Sequence, residues 1–118
     1  MDRNLLAGTL DLLVLEVVAA APKSRSYGYE ITQSVLDQSG GQITLSEGSL
    51  YPALHRMERE KWLKAEWQQI GGRRRKYYRL TAAGRKALVA KRSTWAGFVS
   101  AVSGVIQPAD PRSGEASV

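Results

Sequence analysis

The 118-residue chain contains no cysteine and a single histidine. The first absence excludes disulfides, thiolate metal sites and cysteine nucleophiles, and it fits a reducing compartment. The second leaves His55 without a histidine partner for a metal and without the neighbours of a conventional Ser-His-Asp triad. Neither Gly40-Gly41 nor Gly71-Gly72 matches a phosphate-binding glycine fingerprint. Carboxylates such as Glu58 and Glu60 are not paired for acid/base work, so no catalysis and no cofactor are expected. The apolar stretch Leu5 to Ala21 is interrupted by Asp11 and Glu16 and has no extended basic region before it. That argues against a membrane span or a signal peptide, and a cytoplasmic location is expected.

Acid is missing from one long stretch: none occurs between Glu66 and Asp110. Residues 1–66 carry seven Lys/Arg against nine Asp/Glu, a net of −2, while residues 67–118 carry ten against two, a net of +8. The basic character is therefore local, and Arg73, Arg74, Arg75, Lys76 and Arg79 concentrate it within seven residues. Such a patch either attracts a polyanion, nucleic acid being the commonest, or serves as a solvated loop that keeps the chain soluble.

At this length the chain forms one folding unit with a modest core, to which a second copy would add buried surface. Leu6, Leu10, Leu13 and Val17 recur at helical spacing in the first segment, and Leu5, Leu12, Val14, Leu15 and Val18 spread apolar character around the circumference. A helix from Leu5 to Ala20 with that pattern needs two partners, its own domain and a second subunit. Pro22 ends it, and Lys23 to Ser26 form a connection.

A second helix is expected over Tyr27 to Gln38, with Tyr27, Ile31 and Val35 inward and Gly40-Gly41 closing it. A third carries Leu50, Leu54 and Met57 on its core side. Either Ser46 caps it and Pro52 sits inside, forcing a kink or a tight first turn, or Ser49 caps it and Pro52 falls in the first turn. Ala65 to Gln69 and Lys76 to Leu80 read as strands of a β-hairpin with a basic tip. Of Tyr77 and Tyr78, which alternate faces, one belongs to the core and the other is free for an external contact. Thr81 caps a last helix on which Leu88, Trp95, Val99, Val102 and Ile106 form a heptad-like stripe suited to a partner helix. From Gln107 a disordered tail is expected.

The order helix, helix, helix, hairpin, helix gives a mainly α fold with a small β-hairpin. It is a winged helix-turn-helix over residues 1–80, a C-terminal dimerisation helix over 81–106 and a tail over 107–118. In such a fold the third helix enters the major groove of double-stranded DNA. Ser46, Ser49, Tyr51, Pro52, His55 and Arg56 are then the candidate contacts on that helix. Arg73, Arg74, Arg75 and Lys76 are candidates for the phosphates or the minor groove. A winged-helix protein-interaction module without operator specificity is the alternative from another class, its basic wing serving an acidic protein.

Three strings in order, Tyr27-Gly28-Tyr29-Glu30-Ile31, Leu50-Tyr51-Pro52-Ala53-Leu54-His55-Arg56-Met57-Glu58 and Gly72-Arg73-Arg74-Arg75-Lys76-Tyr77-Tyr78-Arg79-Leu80-Thr81, resemble the PadR family of transcriptional regulators over roughly residues 5–100. The single helix after the wing is similar to the compact subgroup of that family. The resemblance implies a homodimeric regulator, mostly a repressor, binding a pseudo-palindromic operator. In compact members a tryptophan of the last helix lines a pore between subunits, so the resemblance implies that Trp95, with Phe98 beside it, receives a planar aromatic or phenolic effector. Where the family often has Gly-Arg-Pro-Arg at the wing tip, this chain has Gly72-Arg73-Arg74-Arg75.

Overall fold

In a computed structural model, residues 3–106 are described. Among them the elements run α1 (Arg3–Ala20), a short 3₁₀ turn at Pro22–Ser24, β1 (Ser26–Tyr27), α2 (Gly28–Gln38), α3 (Glu47–Arg59), β2 (Leu63–Ile70), β3 (Arg73–Leu80) and α4 (Ala82–Ile106). Three helices and a wing precede a long terminal helix, the winged-helix arrangement expected from the sequence. The expected tail lies outside the described residues.

The core is built where the sequence periodicities converge. Val14, Leu15 and Val18 of α1, Ile31 and Val35 of α2, and Leu50, Leu54 and Met57 of α3 are buried together with Leu63, Tyr78 and Leu88. α1 is apolar beyond this contact: Leu6, Leu10, Leu12, Leu13 and Val17 are only partly covered.

α3 begins at Ser46, whose Oγ accepts from the Ser49 amide at 3.2 Å while its carbonyl takes the Leu50 amide at 2.9 Å. Of the two possible starts, this is the first, and Pro52 lies inside the helix. A proline there removes the amide that would bond the Gly48 carbonyl. Gly48 is exposed, so water can satisfy that carbonyl.

The hairpin is longer than the apolar pattern suggests. Its strands pair antiparallel from Leu63↔Leu80 out to Ile70↔Arg73, leaving only Gly71 and Gly72 in the turn. Both glycines have positive φ, 56° and 78°, the combination a two-residue turn of matching twist requires. Because that turn fixes the register, the arginine run is held as strand. Arg74 pairs with Gln69, at the position where the family often has a proline.

β1 was not visible in the sequence. It adds two residues to the free edge of β3, Ser26↔Tyr78 and Tyr27↔Tyr77, giving the order β1-β3-β2. This overturns the expected division of labour between the two tyrosines, since both are buried. Tyr78 faces the helices, and Tyr77 on the opposite face is covered by the Tyr27 ring, centroids 5.3 Å apart, and by the Arg25 guanidinium 4.5 Å above it.

α4 starts as expected at Thr81, whose Oγ1 accepts from the Gly84 amide at 2.9 Å. Gly84 and Leu88 are buried against the winged-helix body, but Trp95, Phe98, Val99, Val105 and Ile106 are exposed. α4 runs antiparallel to α1: Glu16 pairs with Arg92, while residues 5–12 of α1 lie opposite Trp95 and Phe98.

Candidate nucleic-acid interface

Alternation along the hairpin gives the wing two unlike faces. Trp67 and Gln69 of β2 share one face with their partners Lys76 and Arg74 of β3. This is the face that continues inward to Ala65 and Tyr78, and it is turned toward α3, because Lys76 Nζ donates to Glu58 Oε1 at 3.1 Å. The other face carries Glu66, Gln68, Arg73 and Arg75 and is overlaid at its base by Tyr27, with the Arg75 guanidinium 4.7 Å from that ring.

The cations differ in how firmly they are held. Arg73 and Arg74 are exposed, and the Arg74 guanidinium lies 4.6 Å from the Trp67 centroid. Arg79 is engaged internally: Nε pairs with Glu66 and Nη1 donates to the Lys23 carbonyl at 3.1 Å. Burial works to lower the Lys76 pKa, but hydrogen bonds to Glu58 and Tyr78 and their charge outweigh it, and the pKa is raised. Lys76 therefore remains a cation across the physiological range.

On α3, Ser46, Ser49, Tyr51, Pro52 and His55 are all exposed. Ser46 Oγ lies 3.1 Å from Ser49 Oγ, so the two hydroxyls form one polar edge at the helix start. The Tyr51 ring lies over the first residue of α2, so close that a Cβ on Gly28 would fall 2.6 Å from the Tyr51 hydroxyl oxygen. Tyr51 and His55 then border a groove of about 300 Å³ with Gly28, Trp67, Arg75 and Lys76. The structure thus brings Tyr51 and His55 of α3 and Trp67, Arg75 and Lys76 of the wing together on one concave surface.

Arg56 is placed elsewhere. Its Nη1 and Nη2 bond both carboxylate oxygens of Asp11 on α1, each at 2.7 Å, and this hydrogen-bonded pairing raises the Arg56 pKa. The pair ties α3 to α1 at the edge of a second groove, of about 530 Å³, lined by Leu5, Leu12, Lys91, Trp95 and Phe98. The Arg56 side chain is 45% exposed, so solvent screens the pair. Asp11→Asn is expected to cost about 1 kcal/mol or less, read as a small shift in the urea midpoint at unchanged slope.

Trp95 and Phe98 sit together in this second groove, their ring centroids 6.3 Å apart. Two contributors to the first groove were missed in the sequence, Tyr27 and Trp67. Tyr27 reads as a core residue of α2, and only β1 brings it beside the wing; Trp67 carried a signal, being an aromatic one alternation step outward from Ala65 in a basic hairpin.

Residues 14–90 match the model of the transcriptional regulator PadR-like family. The transcriptional regulator Rv3488 of Mycobacterium tuberculosis is 38% identical over 78 residues, covering 66% of this chain and 70% of that protein. Among solved structures, a PadR family regulator from Eggerthella lenta superposes with a TM-score of 0.76 at 31% identity, covering 88% of this chain and 87% of the other. A transcriptional regulator from Clostridium thermocellum gives a TM-score of 0.80 at 25% identity, with coverage of 88% and 99%.

Proposed function

We propose, from the premise that this chain belongs to the PadR-like family of DNA-binding transcriptional regulators, that it is a homodimeric repressor of a pseudo-palindromic operator. The observation that carries this reading is the shared groove. Tyr51 and His55 of α3 and Arg75 and Lys76 of the wing line one groove, with Ser46 and Ser49 exposed further toward the start of the same helix, an arrangement that suits a helix in the major groove and a wing on the adjacent backbone. Residues 1–80 act as the DNA-binding unit, with the α3 side chains reading base edges and Arg73, Arg74, Arg75 and Lys76 holding phosphates.

Residues 81–106 supply dimerisation. Trp95, Phe98, Val99, Val105 and Ile106 are exposed along the outer part of α4, with Leu5 exposed at the start of α1, and a second copy is the partner that buries such a stripe. The α1–α4 groove, with its apolar walls, Trp95 and Phe98, and a volume of about 530 Å³, is the size of a small-molecule site. A planar aromatic or phenolic effector stacked on Trp95 would favour one dimer geometry and so alter the separation of the two recognition helices.

Nuclease protection of the duplex upstream of the protein's own gene tests the operator reading. Two protected half-sites whose centres lie one helical turn apart, about 34–36 Å, are the expected result; a single unsymmetric footprint contradicts the dimer. Trp95→Ala is expected to remain dimeric by light scattering and to lose affinity for planar lipophilic dyes by at least about tenfold, the loss of one stacked aromatic contact. Wild-type dye affinity in a dimeric variant removes Trp95 from the effector site, and a monomeric variant assigns it to packing alone.

A further inference from the structure

Between the reading helix and the cationic wing lies an indole that neither role uses. Trp67 is 54% exposed although it is among the largest apolar side chains in the molecule. Its strand position places it opposite Lys76 and diagonal to Arg74, and both cations lie against the ring, at 6.0 and 4.6 Å from its centroid. The ring also borders the groove that Tyr51 and His55 line from the α3 side. The indole is thus presented to the groove beside two cations, the exposed Arg74 and the Glu58-bound Lys76.

Those cations decide what can cover it. An apolar protein surface, or a second copy of this basic wing, would bury the Arg74 guanidinium without adding counter-charge, which is costly. Lys76 is already held by Glu58, and Glu66 pairs with Arg79 on the other face of the hairpin. The backbone of a DNA strand has the complementary pattern, an apolar deoxyribose between two phosphates. We infer that Trp67 is a DNA-contact residue: its indole packs on a deoxyribose of the strand that passes between wing and α3, while the exposed Arg74 beside it holds a neighbouring phosphate. This rests on the proposal that the groove receives duplex DNA, and it assigns to Trp67 the part of the wing's affinity that salt does not screen.

The experiment compares wild type, Trp67→Ala, Trp67→Phe and Arg74→Ala by fluorescence anisotropy of one labelled duplex over a salt series. Trp67→Ala is expected to bind about tenfold more weakly, the loss from uncovering roughly 60 Å² of apolar surface, with the wild-type slope of log K against log salt. Trp67→Phe should recover most of the affinity. Arg74→Ala should instead flatten the slope by about 0.9. Unchanged affinity in Trp67→Ala overturns the inference. So does a loss accompanied by a flattened slope, which would make Trp67 only a support for Arg74 and Lys76.

Intrinsic emission provides a second reading that does not depend on the alanine variant folding. Adding duplex to wild type should shift or quench a component that is missing in Trp67→Phe. A component that follows protein concentration and ignores duplex would put the indole in a protein contact and overturn the inference. Should wild type bind no duplex at all, the reading of the groove falls and takes this one with it; duplex binding indifferent to Trp67 defeats the inference alone.

Discussion

Replacing Arg73, Arg74 and Arg75 together by alanine is expected to weaken binding to every duplex roughly 150-fold at about 0.15 M salt and to flatten the log K against log salt slope by about 2.7. Both figures follow from three neutralised phosphates, each contributing about 0.9 to the slope and a factor of about 5 to 6 in affinity at that salt. The triple variant should still fold. Arg73 and Arg74 are exposed, Arg75 is half-buried against Tyr27, and the register is set by the Gly71-Gly72 turn and by the inner pairs Ala65↔Tyr78 and Leu63↔Leu80, in which Tyr78 and Leu63 are buried. Operator preference should change little, because the proposed function gives base edges to α3 and leaves charge to the wing arginines. A triple variant that bound as tightly as wild type would take the wing off the DNA.

Gly84→Ala is expected to have the largest effect on stability, about 3 kcal/mol, read as a fall of roughly 10–20 °C in the thermal midpoint. A Cβ at this position would stand 2.1 Å from the Trp62 carbonyl oxygen and 2.9 Å from Leu80 Cδ1. The carbonyl cannot yield cheaply. It accepts from the Thr81 amide at 3.0 Å and from the Thr81 hydroxyl at 3.1 Å, and Thr81 in turn caps α4 through the Gly84 amide. One added methyl therefore presses on the exit from α3, the end of the wing and the start of α4 at once. A melt within a degree or two of wild type would mean that α4 shifts on the body without cost, and that its position does not depend on this junction.

The same junction shows how far the sequence could be read. Thr81 as the start of α4 was legible because a capping hydroxyl leaves a local signature; for α3 the same signature occurs at both Ser46 and Ser49, and only the structure picks Ser46. Leu50, Leu54 and Met57 announced their buried face by spacing alone. β1 left no such mark: two residues form a strand only because β3 offers them a free edge, and without it Tyr77 would have an open face. The extent of the wing was hidden for a related reason, since Arg73 to Arg75 have little strand preference and are held extended by the turn and the partner strand.

At the candidate sites the limit is sequence distance. The Ser46–His55 stretch and the Arg73–Lys76 run were found by pattern and charge, and the fold sets Tyr51 and His55 of the first and Arg75 and Lys76 of the second on one groove. Arg56 lies next to His55 in sequence and reads as an equal candidate for that surface. Its ion pair with Asp11, 45 positions away, points it to the α1–α4 groove instead, and no local pattern encodes that.

The most direct test of sequence-specific DNA binding by this chain is the affinity of the full chain for the duplex upstream of its own gene and for a scrambled duplex of equal length, across a salt series. The account predicts tighter binding to the upstream duplex by about 10³-fold or more, with affinity for both duplexes falling steeply as salt rises. Equal affinity for the two, or binding indifferent to salt, would contradict it.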